Sequence, residues 1–120
     1  LRRMLDPIKE HVDNNFNPLP TEYINEFMPI RQKINDLMKM SCEQIETSRY
    51  ENYREILAEA DACKDELSVI RKKHIDRLQN MKDNTLMQIS LVYLNVLQES
   101  QEFLSVMRHQ LRAAKKFMEN

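Results

Sequence analysis

Histidine is the usual general base and a common metal ligand, and this 120-residue chain carries three, His11, His74 and His109. To move a proton or hold a metal from a helix, a histidine needs a second His, Cys or carboxylate one turn away on the same face. His74 has Ile70 one turn before it and Leu78 one turn after it, so it reads as a packed or rim histidine. His11 and His109 have no such neighbour either, although Glu102 stands two turns before His109. Carboxylates four apart can share a hard cation, and Glu22/Glu26, Glu55/Glu59 and Asp61/Asp65 have that spacing. The same spacing is common on any solvated helix, and Asp61 and Asp65 fall on an outward face. Nothing marks a nucleophile with its base, and a chain without glycine cannot build a phosphate-cradling glycine loop. The expectation is a protein that is not an enzyme, with no catalytic, cofactor-binding or metal residues.

The basic residues follow a different logic. Arg71, Lys72, Lys73 and Arg77 crowd the second half of one predicted helix, while Glu51, Glu55, Glu59 and Asp61 crowd its first half. That order matches the helix dipole, so the cluster is expected to be a solvated face and not a phosphate or headgroup site. The same reading applies to Arg108, Arg112, Lys115 and Lys116. Charged residues make up 31% of the chain yet leave a net charge of -1, so no global field selects nucleic acid.

The elements that must position these residues are helices. All four prolines (Pro7, Pro18, Pro20, Pro29) lie in the first quarter, and nothing from Ile30 to Asn120 forbids a helix. Two S/T-x-x-E/Q patterns, at Ser48-Arg49-Tyr50-Glu51 and Thr85-Leu86-Met87-Gln88, read as capping boxes opening new helices. The predicted helices run about Thr21 to Glu46, Arg49 to Met81 and Leu86 to Met118, with Pro29 kinking the first or marking its true start. Short connections make consecutive helices antiparallel neighbours. The second helix carries a stripe of Tyr53, Ile56, Ala60, Cys63, Leu67, Ile70, His74 and Met81 in steps of three, four or seven; the third carries Ile89, Tyr93, Val96, Ser100, Phe103, Met107 and Ala114. Leu57, Leu78, Leu97, Leu104 and Leu111 widen these stripes beyond a two-helix seam. The first helix offers Ile24, Phe27, Ile34, Leu37, Met38 and Ile45.

The fold class expected is thus all-α: an antiparallel up-down three-helix bundle over residues 21–118. Residues 1–20 add an N-terminal helical segment, with Leu1, Met4, Leu5, Ile8 and Val12 at helical spacing, and a Pro-rich linker. Cys42 and Cys63 sit at stripe positions without CxxC spacing and read as reduced packing residues of the cytosol. No apolar run approaches the length needed to span a bilayer. The chain opens at Leu1 without an initiator or a basic lead into an apolar segment, and is expected to be a piece of a longer protein.

One resemblance goes further. Arg71-Lys72-Lys73-His74-Ile75-Asp76-Arg77-Leu78-Gln79, a short connection, then Val92-Tyr93-Leu94-Asn95-Val96-Leu97 resembles the last two helices of the PhoU-like cytosolic C-terminal domain of bacterial sodium/phosphate cotransporter-related proteins. The family pattern is a His before an Arg-Leu pair, a loop, then a Tyr-Leu-Asp-Ile-Leu-like run, and the likeness covers roughly Tyr53 to Phe117. It implies a regulatory or accessory domain of a sodium-dependent phosphate transporter, at the cytoplasmic face of the inner membrane and facing its parent's transmembrane part. Where the family places a metal-binding Glu-Arg-x-x-Asp motif, this chain has Gln101 and Ser105 in place of both acids, so the resemblance implies no metal here. The family's paired repeats imply a homo-oligomer, with Ile75, Met87, Leu91 and Phe117 as the candidate contact surface. Beside it stands a reading with no transport link: a generic helical interaction or dimerisation module.

Overall fold

Pro20, with backbone angles of φ -56° and ψ 149°, opens the first long core helix. Its carbonyl accepts the N–H groups of Tyr23 at 3.0 Å and Ile24 at 3.1 Å, so the residue that cannot donate serves as the acceptor of the first turn. The computed structural model describes residues 2–16 and 19–119, with the side chains of 2, 4, 12, 13, 15, 16 and 119 left aside. They form α1 (Arg2–Phe16), α2 (Thr21–Thr47), α3 (Tyr53–Gln79) and α4 (Asn84–Glu119). No strand occurs among the described residues. At about 1.5 Å per residue α4 would span some 54 Å, close to the 56 Å long axis of the molecule.

The core helices α2, α3 and α4 contact one another in all three pairings, and α1 lies against α4. Contacts between α2 and α3 step in opposite directions, Glu26 meeting Arg77 while Lys33 meets Glu66, so the two run antiparallel. The pairs Arg71–Gln101 and Asp61–Arg108 do the same for α3 and α4. Tyr23–Ser90 and Glu26–Tyr93 keep a constant offset, which makes α2 and α4 parallel. This is the up-down order expected, with the N-terminal helix alongside. Its Leu5 is fully buried and joins the same core, Ile8 packing beside it; Leu1 and Pro18 and the side chains of Met4 and Val12 lie outside the described residues.

The stripes of α3 and α4 fall where the spacing puts them: Ile56, Ala60, Cys63 and Leu67 are buried, as are Tyr93, Val96, Phe103, Leu104, Met107 and Leu111. Pro29 neither starts nor ends α2. It and Asn25, whose carbonyl loses its usual N–H partner, both face solvent, so water can take that carbonyl.

Both predicted capping boxes are corrected. Ser48 does not open a helix; it closes α2 in the left-handed region, at φ 54° and ψ 29°. The N–H of Arg49 reaches Gln44 O at 3.1 Å and that of Ser48 reaches Ile45 O at 3.3 Å, a Schellman end with serine where glycine is usual. Ser48 is spent on closing α2, and α3 starts at Tyr53 and not at Arg49. At the other turn, Asp83 takes the place predicted for Thr85, its Oδ1 accepting the N–H groups of Thr85 at 2.8 Å and Leu86 at 3.3 Å.

Candidate functional site

Each core helix supplies one pair of polar or aromatic residues three apart, and the three pairs meet at the α3–α4 turn end of the bundle. Tyr23 and Glu26 come from the first turns of α2, His74 and Arg77 from the last turns of α3, and Ser90 and Tyr93 from the second and third turns of α4. Spacing of three keeps each pair on one face, and the antiparallel bundle brings the faces level.

Tyr23, His74, Ser90 and Tyr93 are all buried. The Tyr23 and Tyr93 rings stack at 4.6 Å and 6°, and the His74 imidazole stands edge-on to both, at 5.1 Å and 4.8 Å. His74 Nε2 lies 2.8 Å from the carbonyl oxygen of Ser90, which only accepts, so Nε2 carries a proton. Nδ1 has no partner among the described residues. Burial pushes the His74 pKa below its ordinary 6.5; the Ser90 carbonyl opposes this, the Arg77 charge adds to it, and the pull of Glu26 does not reverse it. Tyr23 and Ser90 hydroxyls bond at 2.9 Å, and Ser90 Oγ also donates to Met81 Sδ at 3.3 Å.

Around Glu26 the charges close on themselves. Arg77 grips both carboxylate oxygens, at 3.3 Å and 2.8 Å, and the Tyr93 hydroxyl donates to Oε1 at 2.9 Å. Burial alone would raise the Glu26 pKa, but these hydrogen bonds, with the Arg77 and Lys73 charges, hold it below 4.5. Burial and the Glu26 bond together drive the Tyr93 phenol far above its ordinary range, and Glu26 raises Arg77. The result is an ionised Glu26–Arg77 pair, a neutral imidazole and an un-ionised Tyr93 phenol. A fully buried ring whose single N–H is already spent is poorly placed to exchange protons with a substrate.

The other candidates stay apart. Glu26 is engaged by Arg77, while Glu22 is exposed. Asp61 bonds Arg108 at 3.1 Å; Asp65, Glu55 and Glu59 are exposed. His11 contacts Glu99 at 3.3 Å, and His109 is exposed. Among the described residues no three His, Cys, Asp or Glu come together as a metal site would need. The solvated-face reading of the basic cluster holds for Lys72 and Lys73 but is corrected for Arg77, spent on Glu26, and for Arg71, which donates to Gln101 at 3.1 Å. Lys115 sits 4.9 Å over the Tyr53 ring, while Arg112 and Lys116 are exposed. Both cysteines are free and buried. Cys63 lines a groove of about 360 Å³ with Lys33 and Glu66, and burial pushes its thiol up to about 11, far from a reactive thiolate.

Phe117 is 79% exposed, but it lies 26 residues beyond Leu91 on one helix, about 39 Å away, so it cannot share a patch with Ile75, Met87 and Leu91. Tyr23 and Ser90 escaped the sequence reading. The signal for Tyr23 was present: Tyr23, Phe27, Ile30, Ile34, Leu37, Ser41 and Gln44 run in strict steps of four and three, and all are buried. No family model matches this chain, no curated protein matches it, and no solved structure does.

Proposed function

We propose that this chain is a non-catalytic helical module that works by packing against another polypeptide. The observation that carries this is a contrast. In the buried polar cluster Glu26, Arg77 and Tyr93 satisfy one another, whereas large apolar side chains stand in water elsewhere, Val69 at 66% and Leu91 at 47% exposed. Apolar surface left outside a bundle is a common mark of a contact surface.

A narrower reading makes the partner a sodium-dependent phosphate transporter, with the module on its cytoplasmic face as an accessory or regulatory domain and no metal of its own. One observation favours it. His74, Arg77 and Tyr93, which carry the resemblance to PhoU-like domains, converge on one spot, as residues of a shared structural motif would. Among the described residues no helix is long and apolar enough to cross a membrane, so transport would need a separate segment.

The test is to express the gene encoding this chain in full, in cells lacking their own phosphate uptake, and to follow labelled phosphate with and without sodium. Sodium-dependent uptake that changes on Leu91→Glu, with helix content of the isolated domain intact, is the expected result. Uptake that is absent in the parent would overturn the transporter reading. Uptake that ignores Leu91→Glu would overturn a role for that surface.

A further inference from the structure

The outward face of α3 carries a second stripe, opposite the core. Ala58, Ala62, Asp65, Val69, Lys72 and Asp76 follow in steps of four, three, four, three and four, the spacing of a helix–helix seam, and all six are exposed. Val69 at its centre is the most exposed large apolar residue of α3. Among the described residues neither Asp65 nor Lys72 has a salt-bridge or hydrogen-bond partner, whereas the neighbouring Asp61 is tied to Arg108 and Lys73 approaches Glu26.

We propose that α3 is the self-association surface of this chain, joining a second copy antiparallel about a two-fold axis at Val69. The charge order selects both partner and direction. A two-fold through Val69 sets Val69 on Val69 of the second copy and places Asp65 beside Lys72 of that copy, twice by symmetry. Ala62 comes level with Asp76 at each end. A parallel pairing would put Asp65 on Asp65 and Lys72 on Lys72, two repulsions instead of two attractions. The small side chains at Ala58 and Ala62 let the helices approach closely. From Ala58 to Asp76 the seam is about 27 Å long, which suits a weak, concentration-dependent dimer.

The proposal rests on the packing reading above and names a second copy as a partner; it does not depend on phosphate transport, so uptake experiments and this test fail separately. Sedimentation of the isolated chain over a wide concentration range in low salt is expected to show a monomer passing to a dimer. Asp65→Lys alone and Lys72→Glu alone each make like charges face across the axis and lower self-association roughly tenfold or more. Mixed together, the two variants regain opposite charges at both contacts and dimerise with each other; the double variant, its charges exchanged, again associates with itself. Both positions are exposed, so the variants keep the fold, which circular dichroism checks. A wild type that stays monomeric throughout overturns the proposal, as does either single variant associating as strongly as wild type or a mixture that fails to recover.

Discussion

At the α3–α4 turn end the three core helices meet through Tyr23, His74, Ser90 and Tyr93, while further along the same bundle they meet through Leu37, Ile56, Leu67, Phe103, Leu104 and Leu111. The two regions are equally buried and obey different physics. The apolar region draws its stability from area removed from water and from close packing, which act in any register that keeps the volumes filled. The polar region depends on a fixed set of donors and acceptors, and a slip of one residue would strand several of them. One region makes the bundle stable; the other fixes its register.

The largest effects should come from the apolar region. Leu67→Ala should cost about 2–5 kcal/mol and Phe103→Ala about 3–5 kcal/mol, read from denaturant unfolding, because each leaves a cavity its neighbours only partly fill. Unmoved midpoints for both would put the core elsewhere.

In the polar region the expected cost is smaller but specific. Glu26→Ala leaves the half-buried Arg77 and the Tyr93 hydroxyl without their acceptor and should cost about 1–3 kcal/mol. Tyr93→Phe, which removes one donor and keeps the ring stack, should cost less. If the order is reversed, Glu26 is not the hub of this end.

The regions also differ in their response to acid. His74 has a folded pKa below 6.5, so the unfolded chain binds the proton first; its contribution is complete above pH 6.5 and is lost as pH falls through the folded value. Glu26, lowered from 4.5, acts with the same sign further down. Unfolding free energy measured from pH 8 down to about pH 3 should fall, and His74→Leu should remove the upper part of that fall while leaving the lower. Smallest of all, Glu66→Gln at the exposed contact with Lys33 should leave the midpoint where it is.

The same division governs what the sequence reveals. The apolar stripes of α3 and α4 are legible because periodicity along one helix is what packing requires. On α2 the stripe begins at Tyr23, and a reading that weighs aliphatic residues first lands on Ile24, one position away and only half-buried. The polar cluster is hidden for a stronger reason: His74 has no partner on its own helix, and those it has come from Tyr23, Ser90 and Tyr93 on two others. The capping errors are of a third kind. Ser48 and Thr85 have the right neighbours, but backbone angle decides the first and the competing carboxylate of Asp83 the second.

The polar cluster is a structural joint in which His74 is held neutral. Nitrogen-detected NMR of the His74 ring across a pH titration tests this most directly. The expected result is the Nε2–H tautomer at neutral pH, with protonation only below 6.5 and accompanied by loss of the Tyr23 and Tyr93 ring-current shifts. A ring that titrates at or above 6.5 while those shifts persist would contradict it.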